Sequence, residues 1–337
     1  MVTTPLPVEE SFLGLPPSGA LSQGQVVRLW RLKAENPRAR LFGLIGRGDF
    51  FELYEDTIRE VHQRGYDVLM MEWPGQGHPM NGRFSKDGRY VHIPNMAIYD
   101  DSLESVVSGT AWESNRELPT FSATFSMGAG VALHTFLTRP HLEDKFAGHI
   151  LVNPMLAINW RTPWPLIGRP IPEPAQRFYA NIMGKINPDG PARGQRHVNP
   201  VTRSFNNNPI TTNVLSHEER RETFAAHPDK VMGGSTWGFA SSVIAYTDNV
   251  KNLADQGKKL QKPTIMVVSD MDPYISPEKT KKLATSIGSQ ILSIPHARHA
   301  PQIEHPEIRE MFFSGLRKFI DGVLEERSIK ILDDRNL

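Results

Sequence analysis

Thr124-Phe125-Ser126-Met127-Gly128-Ala129-Gly130 is the stretch on which the fold turns. The residues before it, 120–125, are strand-like, and those after it, 127–137, are small and apolar enough for a helix packed close to its neighbours. A strand that ends in a serine and turns at once into a helix lifts the hydroxyl above the sheet edge. Small residues are needed there because the turn is strained and the helix must pass near the strand. The helix start also aims backbone N–H groups and a positive dipole end at the same spot. A plainer reading stands beside this one. Serine is a favoured helix N-cap, and Thr124 takes the place usually held by the first glycine of such an elbow.

Working outward, short apolar or β-branched runs at 26–33, 41–46, 67–72, 148–152, 262–269 and 291–294 predict further strands. Helical spacing marks 51–64, where Tyr54, Ile58 and Val61 share a face, and a final helix from 306 to about 326. Strands alternating with helices imply an α/β fold with a mostly parallel central sheet flanked by helices on both faces. The first residues, with Pro5, Pro7, Pro16 and Pro17, read as an extended lead-in. Residues 157–261 break the rhythm: they are rich in Pro, Trp and Asn, hold no clear buried strand, and are too many for a loop. They read as an inserted helical cap, or lid, between the core segments 1–156 and 262–337.

Lys plus Arg is 38 and Asp plus Glu is 37, a net charge of +1, which argues against a nucleic-acid partner. There is no cysteine, so disulfides, thiolate metal sites and cysteine nucleophiles are all excluded. A reducing compartment fits that composition. No apolar run approaches the ~18–20 residues of a membrane span, and the start lacks the basic-then-apolar order of a signal peptide. A soluble, cytoplasmic protein without a transmembrane segment is expected, with peripheral membrane contact and oligomeric state left open. The 12 histidines form no H-x-x-x-H or H-x-H pair, and the glycine loops lack the Lys-Ser/Thr of a phosphate cradle. No metal and no cofactor are expected.

Two further loops carry titratable groups. Ser269-Asp270-Met271-Asp272-Pro273 follows a predicted strand, where α/β proteins build sites, although Asp-Pro is also ordinary turn chemistry. His296-Ala297-Arg298-His299-Ala300-Pro301 lies between the last predicted strand and the final helix; a loop histidine can equally be plain surface. A serine hydroxyl needs a base, and the base needs a carboxylate to fix its tautomer. Serine, aspartate and histidine in that order, each after a strand, is the chain order of the α/β-hydrolases. The Gly46-Arg47-Gly48 turn follows an early strand, so the N–H groups of Arg47 and Met127 are the expected oxyanion hole. A tight turn without catalytic part is the alternative there, and the two are compatible.

The chain resembles the lysophospholipase and monoacylglycerol-lipase branch of the α/β-hydrolases, also described as serine aminopeptidase-like, and bacterial lysophospholipase L2-type sequences in particular. Gly46-Arg47-Gly48-Asp49-Phe50 with Tyr54 is similar to that group's oxyanion segment. Arg64-Gly65-Tyr66-Asp67-Val68 and Glu72-Trp73-Pro74-Gly75-Gln76-Gly77 resemble its next strand and turn. Asn208-Pro209-Ile210-Thr211, Gly233-Gly234-Ser235-Thr236-Trp237-Gly238 and Pro295-His296-Ala297-Arg298-His299 resemble its cap and histidine-loop signatures. The resemblance implies Ser126 as nucleophile, Asp272 as orienting acid and His299 as base, with Asp270 and His296 as bystanders. The sequence departs from the pattern at Thr124, at Ile45 where a histidine is usual, and at Pro74 where an arginine is usual.

The reading that follows is a serine hydrolase cleaving carboxylic esters through an acyl-enzyme, acting on a small-molecule acyl ester of the lysophospholipid or monoacylglycerol type. Trp237 and Phe125 are the expected substrate contacts. The cap's other aromatics, with Ile171 and Phe178, are expected to form an apolar pocket, or else simply the cap's own core. The same triad acting on a lactone, amide or specialised small ester is the alternative, and a non-catalytic binding protein on the same fold is the third.

Overall fold

The computed structural model describes residues 6–109, 118–159 and 172–335. Its strands are β1 (Glu9–Gly14), β2 (Val26–Leu32), β3 (Ala39–Leu44), β4 (Tyr66–Met71), β5 (Thr120–Phe125), β6 (Gly148–Val152), β7 (Thr264–Ser269) and β8 (Gln290–Ile294). Among the described residues they make one sheet in the order β1-β2-β4-β3-β5-β6-β7-β8. From β4 to β8 all neighbours run parallel, while β2 pairs antiparallel with both β1 and β4. The expected α/β architecture is therefore present. The lead-in is the exception: part of it is the edge strand β1, whose side chains are mostly exposed and which is held by its pairing with β2.

Helices α1 (Glu55–Gln63), α2 (Ala97–Ser108), α3 (Met127–Thr138), α4 (Glu173–Ile186), α5 (Val214–Ala226), α6 (Trp237–Asp255), α7 (Pro277–Ser286) and α8 (Pro306–Arg335) complete the described elements. A parallel strand covered on both faces buries every side chain, and β3, β4, β6 and β7 do so throughout. Alternate residues then serve different cores. Phe42, Leu44, Leu151, Met266 and Val268 join the cluster containing Leu103 of α2 and Val131 of α3. Leu41, Ile150, Ile265 and Val267 face the cluster built on Phe312, Leu316, Phe319 and Ile320 of α8. At about 1.5–3 kcal/mol for each large apolar side chain buried, these two layers supply the main drive for folding.

Among its described residues the region 157–261 adds no strand to the sheet; the elements there are α4, α5 and α6 with short turns. Thr236 caps α6, its hydroxyl accepting from Phe239 N at 3.1 Å. The early part of α6 packs Trp237 and Ile244 on Ala180 of α4 and on Ala192. Its later residues Val243, Tyr246, Val250 and Ala254 join the main core beside α2 and α3. Trp160, Trp164 and Ile171 lie outside the described residues. Phe178, expected in an apolar pocket, instead points to solvent at 69% exposure, because the buried face of α4 is that of Ala180, while Tyr179 lines the cavity and stays half-exposed.

Candidate active site

β5 enters the turn at Ser126, which holds φ +51° and ψ −111°, a conformation that residues with a side chain rarely adopt. Hydrogen bonds over-determine it. Ser126 N donates to Val152 O at 2.9 Å, while Ser126 O accepts from Gly130 N at 3.0 Å and Met155 N at 2.9 Å. Such strain persists only where the surroundings fix it. The small residues are used as the sequence suggests. A Cβ on Gly128 would fall 2.6 Å from Leu44 O and 2.8 Å from Ile45 O, so α3 starts directly against the end of β3. Thr124 fits in place of glycine because its hydroxyl donates to Ile150 O on β6 at 3.1 Å, so its polar atom is satisfied inside the sheet.

Asp272 and His299 come from the loops after β7 and β8, and His299 Nδ1 lies 2.6 Å from Asp272 Oδ2. A carboxylate can only accept, so the ring proton sits on Nδ1 and Nε2 keeps its lone pair. The second carboxylate oxygen of Asp272 accepts from Tyr274 N at 2.8 Å and Ile275 N at 3.0 Å, which fixes the acid's orientation. Asp272 is nearly closed off, with its side chain 1% exposed against 11% for His299. Tyr274 stands edge-on to the imidazole, ring centroids 5.2 Å apart. The neighbouring candidates face elsewhere: Asp270 is exposed and paired with Lys281, and His296 is an exposed turn residue at φ +59°.

The Gly46-Arg47-Gly48 turn lies against the elbow, since a Cβ on Gly46 would approach Ser126 Cβ to 3.6 Å. Its backbone is pinned on both sides. Gly46 N donates to Tyr54 Oη at 3.2 Å, and Gly48 N donates to Gln76 Oε1 at 2.5 Å. Tyr54 in turn donates to Asp49 Oδ2 at 2.8 Å, beside the Asp49–Arg220 ion pair. Ser126, His299, Arg47, Phe125 and Trp237 all line one cavity of about 710 Å³, which is also lined by residues between Ala175 and Val243. Met127 follows Ser126 as the first residue of α3, its side chain wholly buried.

Several residues that hold this arrangement carry no obvious motif. Asn153, at φ +43°, donates from Nδ2 to Ser269 Oγ at 2.8 Å and to His299 O at 2.7 Å, and accepts from Ser269 N at 2.9 Å. An asparagine directly after a buried strand and before a proline was the available signal, since asparagine tolerates the left-handed region. Buried Glu304 accepts from Arg298 N at 2.8 Å and from Thr211 Oγ1 at 2.9 Å, tying the histidine loop to the Asn208-Pro209-Ile210-Thr211 segment. Ala300 N also donates to Ile210 O at 2.9 Å.

Comparison with known proteins agrees with this fold. A solved structure of a soluble variant of monoglyceride lipase from Saccharomyces cerevisiae, in complex with a substrate analogue, superposes with a TM-score of 0.66 at 15% identity, covering 96% of this chain and 98% of that one. Monoacylglycerol lipase from Paleococcus ferrophilus gives 0.61 at 18% identity, covering 88% and 98%. At these identities the likeness shows the fold. Phospholipase YtpA of Bacillus subtilis is 26% identical over 130 residues, 39% of this chain and 46% of YtpA, so the chain spans about half the length of that curated relative. Residues 35–306 match the family described as serine aminopeptidase, S33. A family match that runs from β3 through the histidine loop takes in every residue of the site, and the chain belongs to the serine aminopeptidase S33 family of α/β-hydrolases.

Proposed function

We propose that the protein is a serine hydrolase that cleaves small-molecule carboxylic esters through an acyl-enzyme on Ser126. The observation that carries this reading is the His299–Asp272 hydrogen bond of 2.6 Å in a loop that shares a cavity with the strained Ser126 turn. In the proposed reaction Nε2 of His299 takes the proton of Ser126 Oγ as that oxygen attacks the ester carbonyl. The N–H groups of Arg47 and Met127 receive the oxyanion, and the imidazolium, steadied by Asp272, returns the proton to the leaving alcohol. Water then enters by the same route to release the acid.

Residues 157–261 are proposed as a cap over this site, with Trp237, Phe239 and Val243 of α6 supplying apolar wall for an acyl chain alongside Phe125 and Met155. Monoacylglycerols and lysophospholipids are the proposed substrate class, supported by the relatives named above. Among the described residues no helix is long and apolar enough to cross a membrane. A cytoplasmic location is proposed from the lack of cysteine. The test is labelling with a fluorophosphonate probe together with turnover of p-nitrophenyl esters. Both should vanish in Ser126→Ala, and a fully active variant would refute the reading.

A further inference from the structure

The cavity contains a charge that the proposed reaction does not use. Its lining carries four arginines, Arg47, Arg193, Arg203 and Arg220, against one carboxylate, Asp49. That carboxylate is already committed to Arg220 and to the hydroxyl of Tyr54. Arg47 is partly buried. Its Nη1 is shut off from solvent and has no hydrogen-bond partner. Burial pushes its guanidinium pKa down, nearby Tyr274 and Asp49 push it up, and the charge of Arg203 pushes it down again. Arg203 donates from Nη1 to Tyr274 Oη at 3.2 Å, a neutral acceptor, on the residue that stands against the His299 ring.

A guanidinium partly withdrawn from water, whose nearby carboxylate is already paired with another arginine, is favoured there when a further anion can share its charge. An arginine fork matches phosphate and carboxylate oxygens, and its hydrogen bonds to them are strengthened by charge. We propose that the side chains of Arg47 and Arg203 form a subsite for an anionic head group of the ester substrate, a phosphate or a carboxylate held away from the scissile bond. This rests on the ester-hydrolase reading and narrows it: the preferred substrate is an acyl ester with a negative charge, and a neutral acylglycerol is the poorer one. The main chain of Arg47 faces the carbonyl oxygen while its side chain faces the head group. One residue thereby fixes the distance between the two.

The test compares three esters of one acyl chain: 1-dodecanoylglycerol, 1-dodecanoylglycerol 3-phosphate and dodecanoyl glycolate, all below their aggregation concentrations. The wild type should show kcat/KM at least tenfold higher for one or both anionic esters than for the neutral one, and whichever gains identifies the head group. Arg47→Met should reduce that anionic-to-neutral ratio at least tenfold, Arg47→Lys less, and Arg203→Met about threefold. A ratio unchanged in Arg47→Met, or a wild type that prefers the neutral ester, overturns the proposal. Calorimetry of dodecyl phosphate against dodecanol on Ser126→Ala reads the subsite without turnover. Dodecyl phosphate should bind more tightly, and adding Arg47→Met should raise its Kd at least tenfold. Loss of turnover with this binding intact would sink the hydrolase reading alone; turnover with equal binding of both amphiphiles would sink the subsite alone. Folding is controlled by Tm, which Arg47→Met should leave unchanged or raise, since a partly buried cation with an unpartnered Nη1 has been replaced by an apolar side chain.

Discussion

The side-chain amide of Asn153 reaches the main-chain carbonyl of His299 at 2.7 Å, across 146 residues of sequence. A residue at the end of β6 thus sets the height of the histidine loop that follows β8, and through Ser269 it holds the end of β7 as well.

Asn153→Gly keeps the left-handed backbone and removes the amide. Released from this tie, the imidazole should sit less well over Ser126. We expect kcat on a p-nitrophenyl ester to fall about 10- to 100-fold with KM nearly unchanged, the signature of misplaced chemistry rather than lost binding. A rise in KM with constant kcat would show that Asn153 does not position the base.

Asp272→Asn would replace an acceptor by an amide and let His299 carry its proton on the wrong nitrogen. The expected loss in kcat is on the order of 10³- to 10⁴-fold, with slowed fluorophosphonate labelling and little change in Tm. Asp270→Asn, which touches only the exposed Lys281 pair, should change kcat less than twofold.

Gly128 admits no side chain, since its Cβ would lie 2.6 Å from a backbone oxygen of β3 that cannot easily move. Gly128→Ala should cost about 1–3 kcal/mol in urea unfolding. Because the clash pushes α3 away from the elbow, activity should fall further than the folded fraction does. Ala129→Gly, one position along, should not show that excess loss.

Glu52 supplies a pH test. Burial alone would raise its pKa, but hydrogen bonds from Arg28 at 2.9 Å and Lys230 at 2.5 Å outweigh burial and hold it at about 2, below its ordinary 4.5. A carboxyl whose folded pKa is depressed contributes stability that is fully present above pH 4.5 and is lost as pH falls from 4.5 toward 2. Urea midpoints measured across that window should drop less steeply in Glu52→Gln than in the wild type, although the variant starts lower at pH 7. Parallel slopes would show that the carboxylate is not held ionised by these partners.

Most of the parallel sheet could be read from the sequence because its strands are buried on both sides. The runs at 120–125 and 148–152 coincide with β5 and β6, and the serine turn between strand and helix falls where it was expected. What stayed hidden lacked an apolar period. In β1 most side chains face water, so only backbone pairing makes it a strand. In α2 the buried face includes Asp100 and Asp101, whose partners Thr135, Tyr246 and Arg139 lie far along the chain. Phe178 was misplaced because an aromatic on a helix gives no sign of which way the helix is turned. The ties made by Asn153 and Glu304 were illegible for a related reason: each depends on which loops meet above the sheet, and loop meeting has no local pattern.

Helix α6 serves two masters, its first residues walling the cavity and its last ones set among α2 and α3. An α-helix does not bend at its centre without giving up several main-chain hydrogen bonds at once. The α6 wall of the chamber is therefore a fixed pillar, rooted in the same foundation that holds the sheet.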